Sequence, residues 1–308
     1  AAMFEPAVGT VAAVKLINVP FVAAVAAGIG ALVRQATGDG NLSKIAAAVT
    51  IVSPSILLNA FGYGQCDVIF TAFVIWFVYF AMRDRPALAC VMLGFGVAFK
   101  LQAMFISPFL VMLLLWRRIK VRHLLLIPLI YIVMMVPAAI AGRPWSELLT
   151  VYFRQSDVMH ELSLNAPNPW CFLHGVVDYH AGVVIGLAAG ALTTVLIVWR
   201  SQTLPKTMIA QLLVAAASVA FLPYVLPKMT ERYFFTADML TIALAFARPR
   251  LWPAAVLIQM GSLVGSISYF AQWSTAGLAF VPMTLGIGIL VYELVDPSNE
   301  KDMVDAPA

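Results

Sequence analysis

Four short polar clusters interrupt an otherwise apolar sequence, and their residue types suit the recognition of a sugar or a phosphate. The first is the stretch GYGQCD, which contains Gln65 and ends at Asp67. A glycine-rich turn with a carboxylate at the start of the next helix is an ordinary arrangement, because the helix dipole favours a negative charge there. In a functional interpretation, Gln65 and Asp67 bind a sugar or a phosphate-bearing head group. The spacing is compatible with both.

The second cluster is AFKLQAMFISP, in which Lys100 and Gln102 stand between apolar residues. An ammonium group near a membrane interface costs up to a few kcal/mol unless it reaches water or meets an anion. Lys100 therefore either extends to the interface or holds a fixed anion, and we favour the anion.

The third cluster is PKMTERYFFTAD, in which Lys228 is followed by Glu231 and Arg232. A guanidinium group binds phosphate or carboxylate through two parallel hydrogen bonds, so this segment suits an anionic ligand. An ordinary charged loop with a Glu–Arg pair is the alternative.

The fourth cluster surrounds LNAPNPW and contains His160, Asn165, Asn168 and Trp170. Asparagine side chains and an indole ring are common in sugar-binding sites, but Asn-Pro steps also occur in ordinary turns. Both interpretations stay open at this point.

Several chemistries lack support in the sequence. We find no Ser-His-Asp arrangement, no His-Glu-x-x-His zinc motif and no phosphate-binding loop of the Walker type. The three cysteines are too few and too scattered for a disulfide framework or a thiolate metal site. The net charge of +4 is divided among short basic clusters between apolar segments, so it does not indicate nucleic-acid binding.

The composition indicates an integral membrane protein. Of the 308 residues, 62% are hydrophobic and 11% are charged, whereas a soluble domain carries about a quarter charged residues. Apolar stretches recur along the whole length with short breaks, which predicts one domain over residues 1–308, built as an all-α polytopic transmembrane bundle. The candidate helices number about eleven: 11–33, 45–61, 68–82, 87–99, 104–116, 124–141, 176–199, 208–226, 234–246, 251–270 and 278–295.

Segments 87–99 and 104–116 are each short for a span of about 30 Å of hydrocarbon. They form either two short helices or a re-entrant hairpin. Both arrangements place Lys100 in the turn between them.

The distribution of Lys and Arg predicts the orientation, because short cytoplasmic loops retain positive charge. Alternate loops carry most of the basic residues, and the remaining loops carry only Lys100, Arg143, Arg154, Lys228 and Arg232. We therefore expect the C-terminus in the cytoplasm and the four polar clusters on the non-cytoplasmic face. An odd number of helices places Ala1 on the outer side as well, which suggests that upstream sequence is missing.

The longest predicted outer loop covers 142–175 and contains an amphipathic pattern. Its apolar side is formed by Trp145, Leu148, Leu149, Tyr152, Phe153 and Met159. We expect an interfacial helix here, which the prolines of LNAPNPW then end.

Two of these stretches, taken together, resemble a known family. SPSILLNAFGYGQCDVIF followed by GFGVAFKLQAMFISPFLV is similar to the paired signatures of GT-C membrane glycosyltransferases. The nearest branches are the dolichyl-phosphate-glucose glucosyltransferases of the N-glycan pathway and the bacterial relatives of the GPI mannosyltransferases. LNAPNPW and PKMTERYFFTAD resemble two further segments, so that the resemblance covers roughly residues 15–238.

The resemblance implies transfer of one hexose, of the mannose or glucose type, from a polyprenyl-phosphate donor to a lipid-linked or glycan acceptor. It places Lys100 on the donor phosphate, Gln65 and Asp67 around the sugar, and Glu231 with Arg232 on donor or acceptor. It implies an inverting mechanism in which no cofactor is required and a divalent cation is optional.

Two features depart from the family pattern. Thr230 stands where the family often has a histidine before the Glu-Arg pair. The catalytic base of the family is an acidic residue in a first outer loop, which we expect to lie in missing upstream sequence, with Asp67 as the fallback. A transporter or flippase of lipid-linked sugars is the alternative function, since it uses the same outer binding groups.

Overall fold

The computed structural model describes residues 9–156, 160–173, 175–271 and 276–296. Its longer helices up to the outer loop are α1 (Thr10–Thr37), α2 (Gly40–Ile51), α3 (Asp67–Met82), α4 (Pro86–Phe99), α5 (Ser107–Leu115) and α6 (Leu126–Ile140). Two short helices follow, α7 (Trp145–Leu149) and α8 (Val151–Ser156). The chain continues with α9 (Tyr179–Ser201), α10 (Met208–Val225), α11 (Phe235–Ala247), α12 (Trp252–Ala271) and α13 (Ala276–Val295).

Each of the eleven predicted segments is helical over most of its length, which confirms the all-α polytopic bundle. Within the described ranges, seven helical segments are long and apolar enough to cross a membrane. Helices α3, α4 and the segment that ends with α5 are apolar but shorter. Helices α10 and α11 lie at the centre, since nearly all of their residues are buried.

The predicted helix 45–61 is interrupted in the structure. Helix α2 ends at Ile51, and Pro54 begins a new turn after Ser53, whose side chain accepts a hydrogen bond from the Ile56 backbone N–H. Because proline has no backbone N–H to donate, it starts a helical turn more readily than it continues one. The chain then widens into a π-helical segment, Leu57–Tyr63.

Helices α4 and α5 are separate short helices. The backbone of Lys100 is extended and a 3₁₀ turn, Leu101–Ile106, leads into α5. Helix α4 packs mainly on α3 and α6, whereas α5 packs mainly on α9 and α10. A re-entrant hairpin would pack its two arms on each other, so the packing fits the first of the two sequence interpretations.

The amphipathic segment of the outer loop divides into α7 and α8 at Thr150, whose hydroxyl group donates to the Ser146 carbonyl oxygen. Trp145, Leu149 and Phe153 are exposed along one side, as in an interfacial helix. Tyr152 instead turns into the bundle and donates a hydrogen bond to the Val97 carbonyl oxygen. Met159 of the predicted apolar face lies outside the described residues.

The outer loop also forms a pairing that the all-α prediction did not include. Strand β1 (Ser163–Leu164) pairs in parallel with β2 (Met229–Thr230). These two-residue strands join the loop to the segment that carries Glu231. Helix α9 packs against residues that precede these strands, because a Cβ atom on Gly182 would lie 2.6 Å from Leu162 Cδ1 and one on Gly186 would lie 2.3 Å from the Pro227 ring.

Candidate functional site

Lys100 and Asp67 form an ion pair at the junction of α3 and α4. Asp67 is the first residue of α3, and its side chain is 1% exposed. The side chain of Lys100 keeps 22% of its surface exposed, so it is held from inside the protein and reachable from outside. The structure thus gives Lys100 a protein anion as its partner.

Asp67 is held by a second side chain. Asn59, on the π-helical segment, donates a hydrogen bond of 2.8 Å from Nδ2 to Oδ2 of Asp67, while Oδ1 contacts Lys100. Asn18 of α1 steadies the same turn by donating to the carbonyl oxygens of Ala60 and Gln65. Because both Asp67 oxygens are engaged, the carboxylate is arranged to orient Lys100.

Two aromatic rings complete the surroundings of the Lys100 ammonium group. Its Nζ atom lies 5.7 Å from the centroid of Phe70 and 5.5 Å from that of Tyr233. Such contacts attract a cation to the face of a ring. An ammonium group has three N–H donors, and Asp67 Oδ1 can accept only part of this capacity.

The Glu231–Arg232 pair begins a 3₁₀ turn directly after β2. The Glu231 side chain is 3% exposed, that of Arg232 is 25% exposed, and 3.5 Å separates Arg232 Nε from Glu231 Oε1. A Cβ atom on Gly265 of α12 would lie 3.2 Å from Glu231 Cβ and 3.3 Å from the Asn165 carbonyl oxygen. The absence of a side chain at Gly265 therefore lets α12 cover the glutamate.

The electrostatic surroundings connect Glu231 with the lysine pair. Burial raises the pKa of Glu231, the negative charge of Asp67 adds to this effect, and the positive charges of Arg232 and Lys100 oppose it. Glu231, Asp67, Arg232 and Lys100 therefore form one electrostatic cluster. We refer to these four residues as the charged cluster.

A buried carboxylate, Asp238, adjoins the charged cluster in α11. It accepts hydrogen bonds of 2.7 Å from Ser55 and 2.9 Å from Ser262. A cavity of about 10 Å³ is lined by Asp238 together with Asn59, Glu231 and other polar groups. This is close to the smallest volume that holds one water molecule.

Two atoms of the residues that line this cavity have no hydrogen-bond partner in the described part of the chain, Asn59 Oδ1 and Arg232 Nε. The first is an acceptor and the second a donor. A water molecule can accept from one and donate to the other, so water suits the polar character of the cavity.

The remaining residues predicted from the second and third clusters lie around this centre. Gln65 and Gln102 are partly exposed on the turns on either side of the lysine pair. Lys228 adopts a left-handed backbone with φ of 63°, and its Nζ atom lies 5.5 Å from the centroid of Tyr179. Lys228 therefore lies against the first residue of α9.

The outer-loop residues Asn168 and Trp170 anchor the loop. Asn168 is fully buried and donates to the carbonyl oxygens of Pro223 and Leu226. Trp170 is 5% exposed, and its indole N–H donates to the Val225 carbonyl oxygen at 2.8 Å. Both side chains thus attach the loop to the end of α10.

The other two outer-loop candidates are placed differently. Asn165 bridges to Thr230 at the end of the small parallel pairing. His160 is exposed, and its ring centroid lies 6.0 Å from that of Tyr179. Of the four residues in this cluster, His160 is the exposed one.

The sequence interpretation missed several residues of the site, namely Asn18, Asn59, Ser55, Ser262 and Asp238. Each is a polar residue inside an apolar helical segment, which is the signal that could have identified them. Within the described ranges, no three side chains of His, Cys, Asp or Glu come together to form a metal site.

The apolar spans and the charged cluster at their ends define a multi-pass integral membrane protein with a polar site. The model of glycosyltransferase family 87 matches residues 4–223 of this chain. The protein belongs to this family and is a membrane glycosyltransferase. No curated protein matches the sequence. The family match includes Asp67 and Lys100 and ends before Glu231 and Asp238.

Proposed function

We propose that this glycosyltransferase transfers a single hexose, of the mannose or glucose type, from a polyprenyl-phosphate donor to a lipid-linked or glycan acceptor. The observation that carries the proposal is Lys100, a cation fixed by Asp67 yet 22% exposed at the end of a membrane helix. A donor anchored in the membrane brings its phosphate to this interface. The bundle would thus serve as a GT-C type enzyme whose site faces the non-cytoplasmic side, with the C-terminus in the cytoplasm.

The proposed phosphate site consists of Lys100 and Arg232. Both side chains keep about a quarter of their surface exposed, and each is paired with a buried carboxylate. A charge that is already in place stabilises the departing phosphate without reorganisation during the reaction. We assign to Asp67 the role of orienting Lys100 through their ion pair; its predicted roles as a sugar ligand and fallback base stay predictions.

Gln65 and Gln102 flank Lys100 and are assigned to the hydroxyl groups of the transferred sugar. Amide side chains both donate and accept hydrogen bonds, as sugar hydroxyls require. Asn165, Asn168 and Trp170 hold the outer loop in place beside Glu231. His160, which is exposed, and Lys228 both lie against the ring of Tyr179. We assign these two residues to the acceptor side of the site.

In the proposed inverting reaction the acceptor oxygen forms a bond to the anomeric carbon while the bond from that carbon to the phosphate oxygen breaks. The electron pair of the broken bond stays on the phosphate, and Lys100 and Arg232 compensate its charge. A carboxylate takes the acceptor proton.

The test is a transfer assay with the purified full chain in nanodiscs. The probes are polyprenyl-phosphate mannose and polyprenyl-phosphate glucose, assayed separately with membrane lipid extract as the acceptor. Lys100→Ala should lower kcat/KM by about 10²- to 10³-fold, the range for loss of one group that stabilises developing charge. Lys44→Ala is the matched control, because Lys44 is exposed on α2.

Transfer by Lys100→Ala at the wild-type rate would contradict the phosphate assignment. Movement of the donor across the bilayer without any glycosylated product would instead indicate the transporter alternative. The assay therefore separates the two functions that the sequence left open.

A further inference from the structure

We propose that the wedge between α9 and α13 binds an anionic phospholipid, with the lipid phosphate at Arg200 and a hydrocarbon chain in the cavity beside it. The inference concerns a second site, separate from the charged cluster. It goes beyond the proposed transfer reaction and does not depend on it.

The wedge arises because α9 and α13 both pack on α10 but touch each other little. A cavity of about 730 Å³ lies between them. This volume falls within the range of about 300–1,000 Å³ that is usual for ligand pockets. Apolar side chains of α9 and α13 form most of its wall, among them Leu196, Ile197, Ile287, Val291 and Leu294.

The polar groups at the end of the cavity away from Arg200 are satisfied within the protein. The hydroxyl group of Thr284 donates to the Phe280 carbonyl oxygen. Tyr224 therefore acts as the donor in the hydrogen bond of 2.8 Å that joins its hydroxyl group to that of Thr284. This part of the cavity suits a hydrocarbon chain, which makes no hydrogen bonds.

The other end of the cavity is positively charged. Arg200 lines it and donates a hydrogen bond of 3.4 Å to the Val295 carbonyl oxygen, at the end of α13. One turn earlier in α13, the buried Glu293 pairs with both Arg248 and Arg250. The side chain of Arg250 is 41% exposed, so this charge is accessible from outside the bundle.

The charges at this end of α13 do not cancel. The three guanidinium groups meet two carboxylates of described residues, those of Glu293 and Asp296. Basic pockets between transmembrane helices bind the anionic head groups of lipids. A phosphodiester head group supplies the missing negative charge.

The basic end of the wedge lies at a membrane surface, opposite the charged cluster. Trp199, next to Arg200, is 67% exposed, and indole rings are common at the interface. Lys100 precedes α5, whereas Trp116 follows α5 and its ring centroid lies 5.8 Å from Nζ of Lys206, in the loop after α9. In the orientation proposed above, the wedge therefore opens to the cytoplasmic leaflet.

The size of the cavity favours a lipid chain over a further helix. A helix with its side chains is about 10 Å across and rises about 1.5 Å per residue, so this cavity would hold only about six helical residues. A hydrocarbon chain is much thinner. The lipid chain of the proposed sugar donor is excluded as the occupant, because its phosphate is assigned to Lys100 at the opposite end of the bundle.

The test is native mass spectrometry of the purified full chain in detergent, titrated separately with phosphatidylglycerol and phosphatidylcholine that carry the same acyl chains. A difference in Kd then reports the head group alone. We expect wild type to bind phosphatidylglycerol about fivefold more tightly, the contribution of one basic residue at an anionic surface.

Two pairs of variants locate the site. Arg200→Gln should remove the preference for phosphatidylglycerol, whereas Arg83→Gln, at an exposed arginine directly after α3, should keep it. Leu196→Trp fills the cavity and should abolish retention of both lipids. Leu187→Trp is its matched control, since Leu187 is 58% exposed on the same helix and does not line the cavity.

Equal affinity of wild type for the two lipids would overturn the selection of an anionic head group. An unchanged preference in Arg200→Gln would remove Arg200 from the site, and equal effects of Leu196→Trp and Leu187→Trp would reject the wedge. If Arg200→Gln does not fold, the comparison of the two lipids on wild type and the two tryptophan variants still decide.

Two further results would replace the phospholipid by another occupant. Displacement of phosphatidylglycerol by inorganic phosphate at an equal concentration would indicate a site for a free anion. A dimer without lipid that Leu196→Trp dissociates would make the wedge an interface between two copies of this chain. Because the readout is lipid binding, absence of sugar transfer would overturn the proposed function and leave this inference standing.

Discussion

Lys100 and Asp67, 33 positions apart in the sequence, meet in an ion pair at the junction of two membrane helices. The pair is asymmetric, since Asp67 is buried and Lys100 is partly exposed. The Lys100 ammonium group is held by a buried carboxylate and is accessible at the surface. It therefore suits an anionic ligand that arrives through the membrane interface.

Asp67→Asn should weaken the donor site without removing Lys100. The substitution removes the negative charge that orients the ammonium group. Misplacement of a reacting or charge-stabilising group by about 1 Å can cost on the order of 10²-fold in rate, so we expect kcat/KM for the donor to fall by about 10- to 100-fold. Steady-state kinetics measures this change.

Asp84→Asn is the control for that measurement, because Asp84 pairs with Arg118 and is 66% exposed. Exposed ion pairs contribute little to stability. The kinetics of the Asp84→Asn variant should therefore match those of wild type. Equal effects of the two substitutions would argue against a specific role of Asp67.

Cys66 offers a native reporter of donor binding. It is an exposed free cysteine directly before Asp67, whereas Cys90 is buried. A donor seated on Lys100 covers this turn, so polyprenyl-phosphate mannose or glucose should slow maleimide labelling of Cys66 by about tenfold at 10 Kd, as mass action requires. Mass spectrometry of the labelled peptide gives the rate.

The same labelling also tests the orientation. An impermeant maleimide should reach Cys66 from the outer side of intact cells. Labelling from the cytoplasmic side alone would reverse the proposed topology.

Gly265→Ala should destabilise the protein by about 1–3 kcal/mol, the usual cost of overpacking. The new Cβ atom would press on Glu231 Cβ at 3.2 Å and on the Asn165 carbonyl oxygen at 3.3 Å. Thermal unfolding in detergent measures the loss. Gly288→Ala in α13 is the matched control, since a Cβ atom there meets nothing within 4 Å.

Ser55→Ala should cost about 1–3 kcal/mol in the free energy of unfolding, because it leaves one oxygen of the buried Asp238 without its donor. Ser218→Ala is the comparison, because Ser218 is also buried but donates to Val214 within its own helix. A similar loss in both variants would show that Asp238 does not depend on its serine partners.

Much of the fold could be predicted from the sequence. All eleven predicted segments are helical, since apolar runs and their polar breaks are local properties of the chain. The interruption at Pro54 and the division of the amphipathic segment at Thr150 were missed. Both depend on local hydrogen bonds, of Ser53 and of Thr150, that compete with a regular helix.

The sequence by itself determined the membrane bundle and singled out Lys100, Asp67, Glu231 and Arg232, because charged residues stand out against an apolar background. Only the tertiary structure decided that Asp67 is the partner of Lys100, that Asn168 and Trp170 anchor a loop, and that Asp238 meets Ser55 and Ser262. These contacts join segments that are distant in the sequence. Partners of this kind depend on how helices pack and on where an unpaired buried group would be costly, and neither can be read from composition or spacing.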